Sequence, residues 1–396
     1  MSRTVDVAVI GAGAIGTAVA YYCSKAGASV VLIDSGDIAE GTSSKCDGNI
    51  LVCDKKPGFD AQLARASLDM FDSLSRELEY PIQWSQKGSL YLIETEEELE
   101  IARKFCLDMQ ACGIPMRMLD RKEIKEDEPY LADDLVGGLE TACDGALFPI
   151  GLCYAYAFGA KKLGVEIKLY SPVTGIEQKA AREFTVRFGD DSLTAKNVVN
   201  CAGVWSPAIG KMVGLDIPVK PRQGQILVGE QTFQIGRRKV HEFGYLAAKF
   251  QTGGYKRPVS ERVERNGVAF VFEPTESNNF LIGSSRRFAG EDISNDIDVM
   301  QALAERAVRF FPVLRDIKII RAYTGIRPFT PDHMPIVSDT EIPGFYIAAG
   351  HEGDGIGLSA ISGKFISDMI AGNELPMDIA PLRFSRFDQH SVNEPQ

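Results

Sequence analysis

A Val-rich run at residues 4–10 is followed at once by Gly-Ala-Gly-Ala-Ile-Gly, which places Gly11, Gly13 and Gly16 at the end of a first strand. Such a run predicts a strand buried on both faces. Gly11 permits a tight turn, Gly13 lets backbone approach a pyrophosphate, and Gly16 lets the next helix pack closely on the strand. That helix, predicted over residues 14–26, turns its first amides, those of Ala14 and Ile15, and the positive end of its dipole toward the phosphates. A second strand over residues 28–33 ends in Asp34, with Ser35 beside it, an acid placed to accept hydrogen bonds from ribose hydroxyls. The glycines alone are weak evidence. Strand, glycines, helix, strand and acid in this order predict that a dinucleotide binds.

At 396 residues the chain is long enough for two domains sharing an interface. A formal charge of -11, with no Lys/Arg run, argues against a nucleic-acid surface. No stretch approaches the about eighteen apolar residues of a membrane span. The N-terminus leads straight into a strand, so no signal peptide is expected and the expected location is cytoplasmic, with peripheral attachment through a partner still open. The eight cysteines form no CxxC pair, and with four histidines in the chain no metal or iron–sulfur site is expected. Cys23, Cys106, Cys112 and Cys201 read as reduced packing residues.

Helices are expected over residues 59–78, 96–112, 153–163 and 293–311, and short strands over 88–94 and 165–170. A buried strand over residues 197–203 ends in Ala202 and Gly203, as a central parallel strand feeding a ligand should. From residue 219 to about 287 the pattern changes to β-like runs punctuated by Gly, Pro and Asn, which suggests a largely antiparallel sheet. Residues 344–372 then repeat the strand, glycine loop and helix logic. The expected class is α/β: a Rossmann-like nucleotide-binding domain assembled from residues 1–80, 145–218 and 325–380, and a second α+β substrate domain from 81–144 and 219–324.

Three glycine loops, GAGAIG, NCAGVWS and AAGHEGDGIG, thus gather at one carboxyl edge of a parallel sheet. This ordered set resembles the D-amino-acid-oxidase-like flavoproteins, which include glycine oxidase and sarcosine oxidase, across nearly the whole chain. Residues 41–60 and 350–364 are most similar to the flavin subunits of heteromeric amine dehydrogenases: those of opine oxidase, of hydrogen cyanide synthase, and of the proline and hydroxyproline dehydrogenases. The resemblance implies FAD rather than NAD. It also implies partner subunits carrying electron-transfer cofactors, because this chain lacks cluster cysteines.

On this resemblance Thr42, Ser43 and Ser44 serve the ribityl chain and phosphates, Gly48, Asn49 and Ile50 pass beside the isoalloxazine, and Val173 borders the cofactor. Gly353, Asp354, Gly355, Ile356, Gly357 and Leu358 form a loop opening a helix, whose amides would stabilise negative charge on the reduced ring. Cys46 lies in a loop expected to border the flavin, no covalent bond from Cys46 or His351 is expected, and His351 is expected to shape its loop. Arg327, in TGIRPFTPDHMPI, matches the arginine that grips the substrate carboxylate in glycine-oxidase-like enzymes. The second arginine and the substrate-domain tyrosine of that pattern are absent, the latter's place falling near Val271. Glu273 and Tyr245 are candidate replacements. No dedicated catalytic base is expected. The implied reaction is oxidation of the C–N bond of a small amino acid or secondary amine of the proline, hydroxyproline, opine, sarcosine or glycine type, by hydride transfer to flavin N5. The electrons go to a partner or acceptor, or to oxygen in a standalone glycine- or sarcosine-type oxidase.

Overall fold

The computed structural model describes residues 4–250 and 254–387. The first strand, Thr4–Ile10, is the centre of a parallel sheet. It pairs on one side with Val30–Ile33, which pairs with Glu166–Lys168, and on the other with Asp191–Asn200, which pairs with Phe345–Ala349. Buried on both faces, these strands are runs of Val, Ile and Ala, as a covered parallel sheet requires. Ile336–Asp339 closes one edge antiparallel, and a hairpin of Val173–Ala180 and Glu183–Phe188 adds to the first half of Asp191–Asn200. Helix Ala14–Lys25 lies across one face between Pro149–Lys162 and Ser359–Ala371. All the parallel strands end at one edge, at Gly11, Asp34, Cys201 and Gly350.

The second sheet has eight strands and is antiparallel except where Lys239–Glu242 runs parallel to Ser89–Ile93. Its long pair, Lys220–Gly229 with Ile319–Phe329, sets Arg222 directly across from Arg327. Helix Ile297–Phe310 buries Val299, Leu303 and Phe310 against Leu227, Phe270, Phe272 and Ile282 of this sheet. The same helix carries a buried ion cluster. The Arg306 guanidinium meets both Glu94 and Glu242, and Glu242 also accepts from Arg257 at 2.6 Å. Removing one member leaves the others charged and uncompensated. Arg306→Met is therefore expected to destabilise the fold by about 3–5 kcal/mol, read as a fall in the denaturant midpoint at constant m-value.

The α/β class with a largely antiparallel second sheet is as the sequence indicated. Among the elements not anticipated are the Val173–Phe188 hairpin, the helix Phe243–Phe250, the first half of Lys220–Gly229 and the long strand Ile319–Phe329 that carries Arg327. Among the described residues no helix is long and apolar enough to cross a membrane.

Candidate active site

A cavity of about 730 Å³ runs from the carboxyl edge of the parallel sheet to the face of the second sheet. Gly11, Gly13, Ala14, Ile15, Asp34 and Ser35 line it at the sheet edge, together with Val173, Ala202 and Gly203. Thr42, Ser43 and Asn49 continue the wall, and Gly353, Asp354, Gly355 and Ile356 line it beside Arg327.

Two glycines are required by close contact. Gly11 has φ +108°, and a Cβ there would stand 2.4 Å from the Cys201 carbonyl oxygen. A Cβ on Gly16 would stand 1.7 Å from the Gly11 carbonyl oxygen, so Gly16 serves helix–strand packing and does not line the cavity. The amides of Gly13 and Ile15 donate to no protein group among the described residues, whereas that of Ala14 donates to Ser43 Oγ at 3.0 Å. Asp34 accepts from the Ala12 and Gly36 amides, which fixes its carboxylate at the cavity edge. Two such bonds leave lone pairs for further donors.

The 41–50 loop uses its hydroxyls for the fold. Thr42 Oγ1 donates to the Ile326 carbonyl at 2.6 Å, and Ser44 Oγ donates to that of Glu40 at 3.2 Å. Ser44 and Gly48 line a second cavity behind the loop. Ile50 is buried and pairs with Gly145. Asn49 Oδ1 is buried and has no partner among the described residues, an arrangement that native proteins reserve for groups completed by something else. In the last loop Gly353, Gly355 and Ile356 line the cavity with amides that find no protein acceptor among the described residues. Gly357 and Leu358 lie behind them, the Gly357 carbonyl accepting from Ser67 Oγ at 2.6 Å.

Arg327 opens to the cavity from deep within the fold. Nη1 donates to the Ser285 carbonyl and Nη2 to Ser284 Oγ, both at 2.9 Å. Burial, then the neighbouring Arg286 and Arg222, draw its pKa down to about 10, so it stays charged at neutral pH. No carboxylate lies within ion-pair distance of it among the described residues. Of the two candidate anchors, Tyr245 lines the cavity, with the Arg286 guanidinium 4.2 Å from its ring centre. Glu273 is corrected: the loop backbone covers it, the Gly48 amide donates to its carboxylate at 3.1 Å, and Lys239 Nζ stands 3.8 Å away. Burial raises its pKa to about 7. It holds Gly48 in place and faces away from the main cavity.

His351 is buried with Nε2 3.0 Å from Ser362 Oγ, and burial lowers its pKa to about 3, so it is a neutral support of its loop. Burial pushes the Cys46 thiol well up, and its Sγ donates to the Ser43 carbonyl at 3.3 Å. Several cavity residues were not singled out from the sequence: Arg222, Arg286, and His241, which stacks on Tyr91 and is lowered to about 4 by burial. Lys55, buried between Asp54 and Asp354, ties the 51–55 segment to the last loop at 2.7 Å and was likewise missed. The doublet Arg286–Arg287 directly after a β-like run was the one available signal.

A family profile described as FAD dependent oxidoreductase, DAO, matches residues 6–369. The chain belongs to this family. It is 27% identical to hydrogen cyanide synthase subunit HcnC of Pseudomonas aeruginosa, over 98% of this chain and 97% of that one. It is 28% identical to rat mitochondrial dimethylglycine dehydrogenase over 98% of this chain, and spans 45% of that longer protein. The crystal structure of glycine oxidase from Geobacillus kaustophilus superposes with a TM-score of 0.87 at 25% identity, covering 97% of this chain and 99% of that one.

As a DAO-family protein the chain is an FAD-dependent oxidoreductase, and its cavity fits the cofactor. Free amides at Gly13 and Ile15 suit the pyrophosphate, the fixed Asp34 suits the ribose, and the free amides of Gly353, Gly355 and Ile356 suit an anionic ring edge. The Asn49 Oδ1, without a partner among the described residues, supplies an acceptor in the cavity wall.

Proposed function

We propose that the chain oxidises the C–N bond of a small amino acid or secondary amine whose carboxylate is held by Arg327. The observation that carries this reading is a charged guanidinium at the cavity, braced by Ser284 and Ser285, with no carboxylate of its own among the described residues. A fork so held offers its remaining N–H groups to a carboxylate, and exclusion of water strengthens the pair. FAD, when bound, supplies a two-electron acceptor. The substrate gives up a hydride from carbon and a proton from nitrogen, and water hydrolyses the resulting imine to a carbonyl compound and an amine or ammonia.

The side chains at the site orient the substrate and exclude water; none need act as a base, because a neutral amine already carries the electron pair that expels the hydride. The rate of anaerobic flavin bleaching is therefore expected to rise with pH through the bound amine's pKa. His241 and His351, held neutral by burial with pKa values of about 4 and about 3, should contribute no inflection between about pH 5 and 7. Stopped-flow reduction across pH checks both features. A panel of proline, hydroxyproline, sarcosine, glycine and an opine tests the reading itself. Failure of all of them, and of acidic amino acids, to bleach a flavin that light still reduces would refute it.

In this reading residues 1–80, 145–218 and 325–380 carry the cofactor and residues 81–144 and 219–324 the substrate wall, and electrons pass to a partner subunit, as the likeness to a named synthase subunit supports. A standalone oxidase using oxygen is the second reading, favoured by the full-length match to glycine oxidase. Oxygen consumption by the purified chain at the anaerobic reduction rate selects the second; isolation with a cofactor-bearing companion selects the first.

A further inference from the structure

Three arginines meet at the cavity: Arg222, Arg286 and Arg327. Arg222 stands across the strand pair from Arg327 and is neutralised by Glu352 at 2.6 Å, which in turn meets His333 Nδ1 at 2.9 Å. Its Nε is nonetheless buried without a partner among the described residues. Neither Arg286 nor Arg327 has a carboxylate within ion-pair distance among the described residues. Both hydrogen-bond to one residue, Ser284: Arg327 Nη2 to its hydroxyl at 2.9 Å, Arg286 Nη1 to its carbonyl at 3.3 Å. Two like charges therefore share one serine as a hydrogen-bond partner at the cavity wall.

Most of the acids lining the cavity are otherwise engaged. Asp54 and Asp354 share Lys55, and Glu242 is held by Arg257 and Arg306. Asp47 accepts from the Asn49 amide at 3.2 Å and, among the described residues, forms no ion pair, although its charge acts on Arg327 from beyond ion-pair distance. Arginines kept for structure are paired; two left unpaired and adjacent in a low-dielectric space repel each other unless an anion joins them. One carboxylate satisfies Arg327 and leaves the Arg286 charge unmatched.

We propose that the substrate carries two carboxylates, one on Arg327 and the second on Arg286 with the free Nε of Arg222 beside it: an acidic amino acid or an N-carboxyalkyl amino acid. Tyr245, stacked under Arg286, fixes the plane of that guanidinium. This deepens the function proposed above and rests on it.

The test is anaerobic bleaching of the flavoprotein with two sets of amines. The first set is aspartate and glutamate in both configurations and iminodiacetate; the second is glycine, alanine, sarcosine and proline. The best dicarboxylate is expected to exceed the best monocarboxylate in bimolecular reduction rate by on the order of 30-fold. Arg286→Gln should collapse that ratio toward unity, and Arg286→Lys should retain part of it, with the bound-flavin spectrum confirming a folded holoprotein. A monocarboxylate that outruns every dicarboxylate overturns this inference and leaves the amine-oxidation reading standing. So does a ratio unchanged by Arg286→Gln. No bleaching by either set overturns both. The wild-type panel alone decides if the variants do not fold.

Discussion

Replacing Arg327 by alanine should lower kcat/KM for carboxylate-bearing amines by about 10²–10³-fold while FAD remains bound. The size follows from what the substitution leaves behind. The carboxylate leaves bulk water for the cavity, and without the guanidinium it is desolvated with one partner missing. The loss should divide between KM and the reduction rate, because the same bonds that hold the carboxylate also fix the α-carbon for hydride loss. Arg327 is braced by Ser284 and Ser285 and packs beside Gly224, where a Cβ would stand 2.2 Å from its Nη1. Lysine cannot reproduce that planar fork, so Arg327→Lys should recover only part of the loss. Flavin content and the anaerobic reduction rate, measured on the same preparation, separate substrate binding from cofactor loss. An alanine variant with unchanged kcat/KM would remove the basis for an amino-acid substrate.

The cofactor end of the site was legible because it is local. Strand, glycine turn, helix and Asp34 lie within one short stretch, and their spacing carries the geometry. The substrate end is not local. Arg222, Arg286 and Arg327 lie on segments far apart in the chain and meet only through strand register, Arg222 opposite Arg327 and Gln223 bridged to Arg287. Arg327 was singled out through its resemblance, whereas Arg222 and Arg286 taken singly read as exposed strand-end charges. Glu273 shows the converse. It shares a sheet face with Val271, which does line the cavity, yet the Gly48 backbone lies over it and takes its carboxylate.

Parts of the fold were hidden for a similar reason. The hairpin Val173–Ala180 and Glu183–Phe188 is largely polar on its outer face, so its apolar residues are too sparse to read as a buried strand. Only the last residues of Asp191–Asn200, Val198 and Val199 among them, are the continuous apolar run of a central strand; its first half pairs with the hairpin and alternates.

Gly16→Ala is expected to abolish isolation of the flavin-bound protein, an effect at least as large as any at the substrate end. The added Cβ would stand 1.7 Å from the Gly11 carbonyl oxygen and 3.2 Å from Cys201 Cβ, and the closest neighbour is backbone that cannot rotate aside. Relief requires the helix Ala14–Lys25 to lift from the Thr4–Ile10 strand. That helix is packed on its other sides by Pro149–Lys162 and Ser359–Ala371, so the shift would open voids across the core while moving the Gly13 and Ile15 amides away from the phosphates. Stability and FAD affinity should fall together, and added FAD should not rescue the variant. Gly13→Ala makes the contrast. Its Cβ would meet only Ser43 Oγ at 3.2 Å, a side chain with freedom to turn, so the apoprotein should fold while FAD binding weakens. Thermal midpoints with and without FAD distinguish the two. Should Gly16→Ala instead fold normally and bind FAD normally, the tight seating of helix on strand would not be what holds the phosphate-binding turn in place.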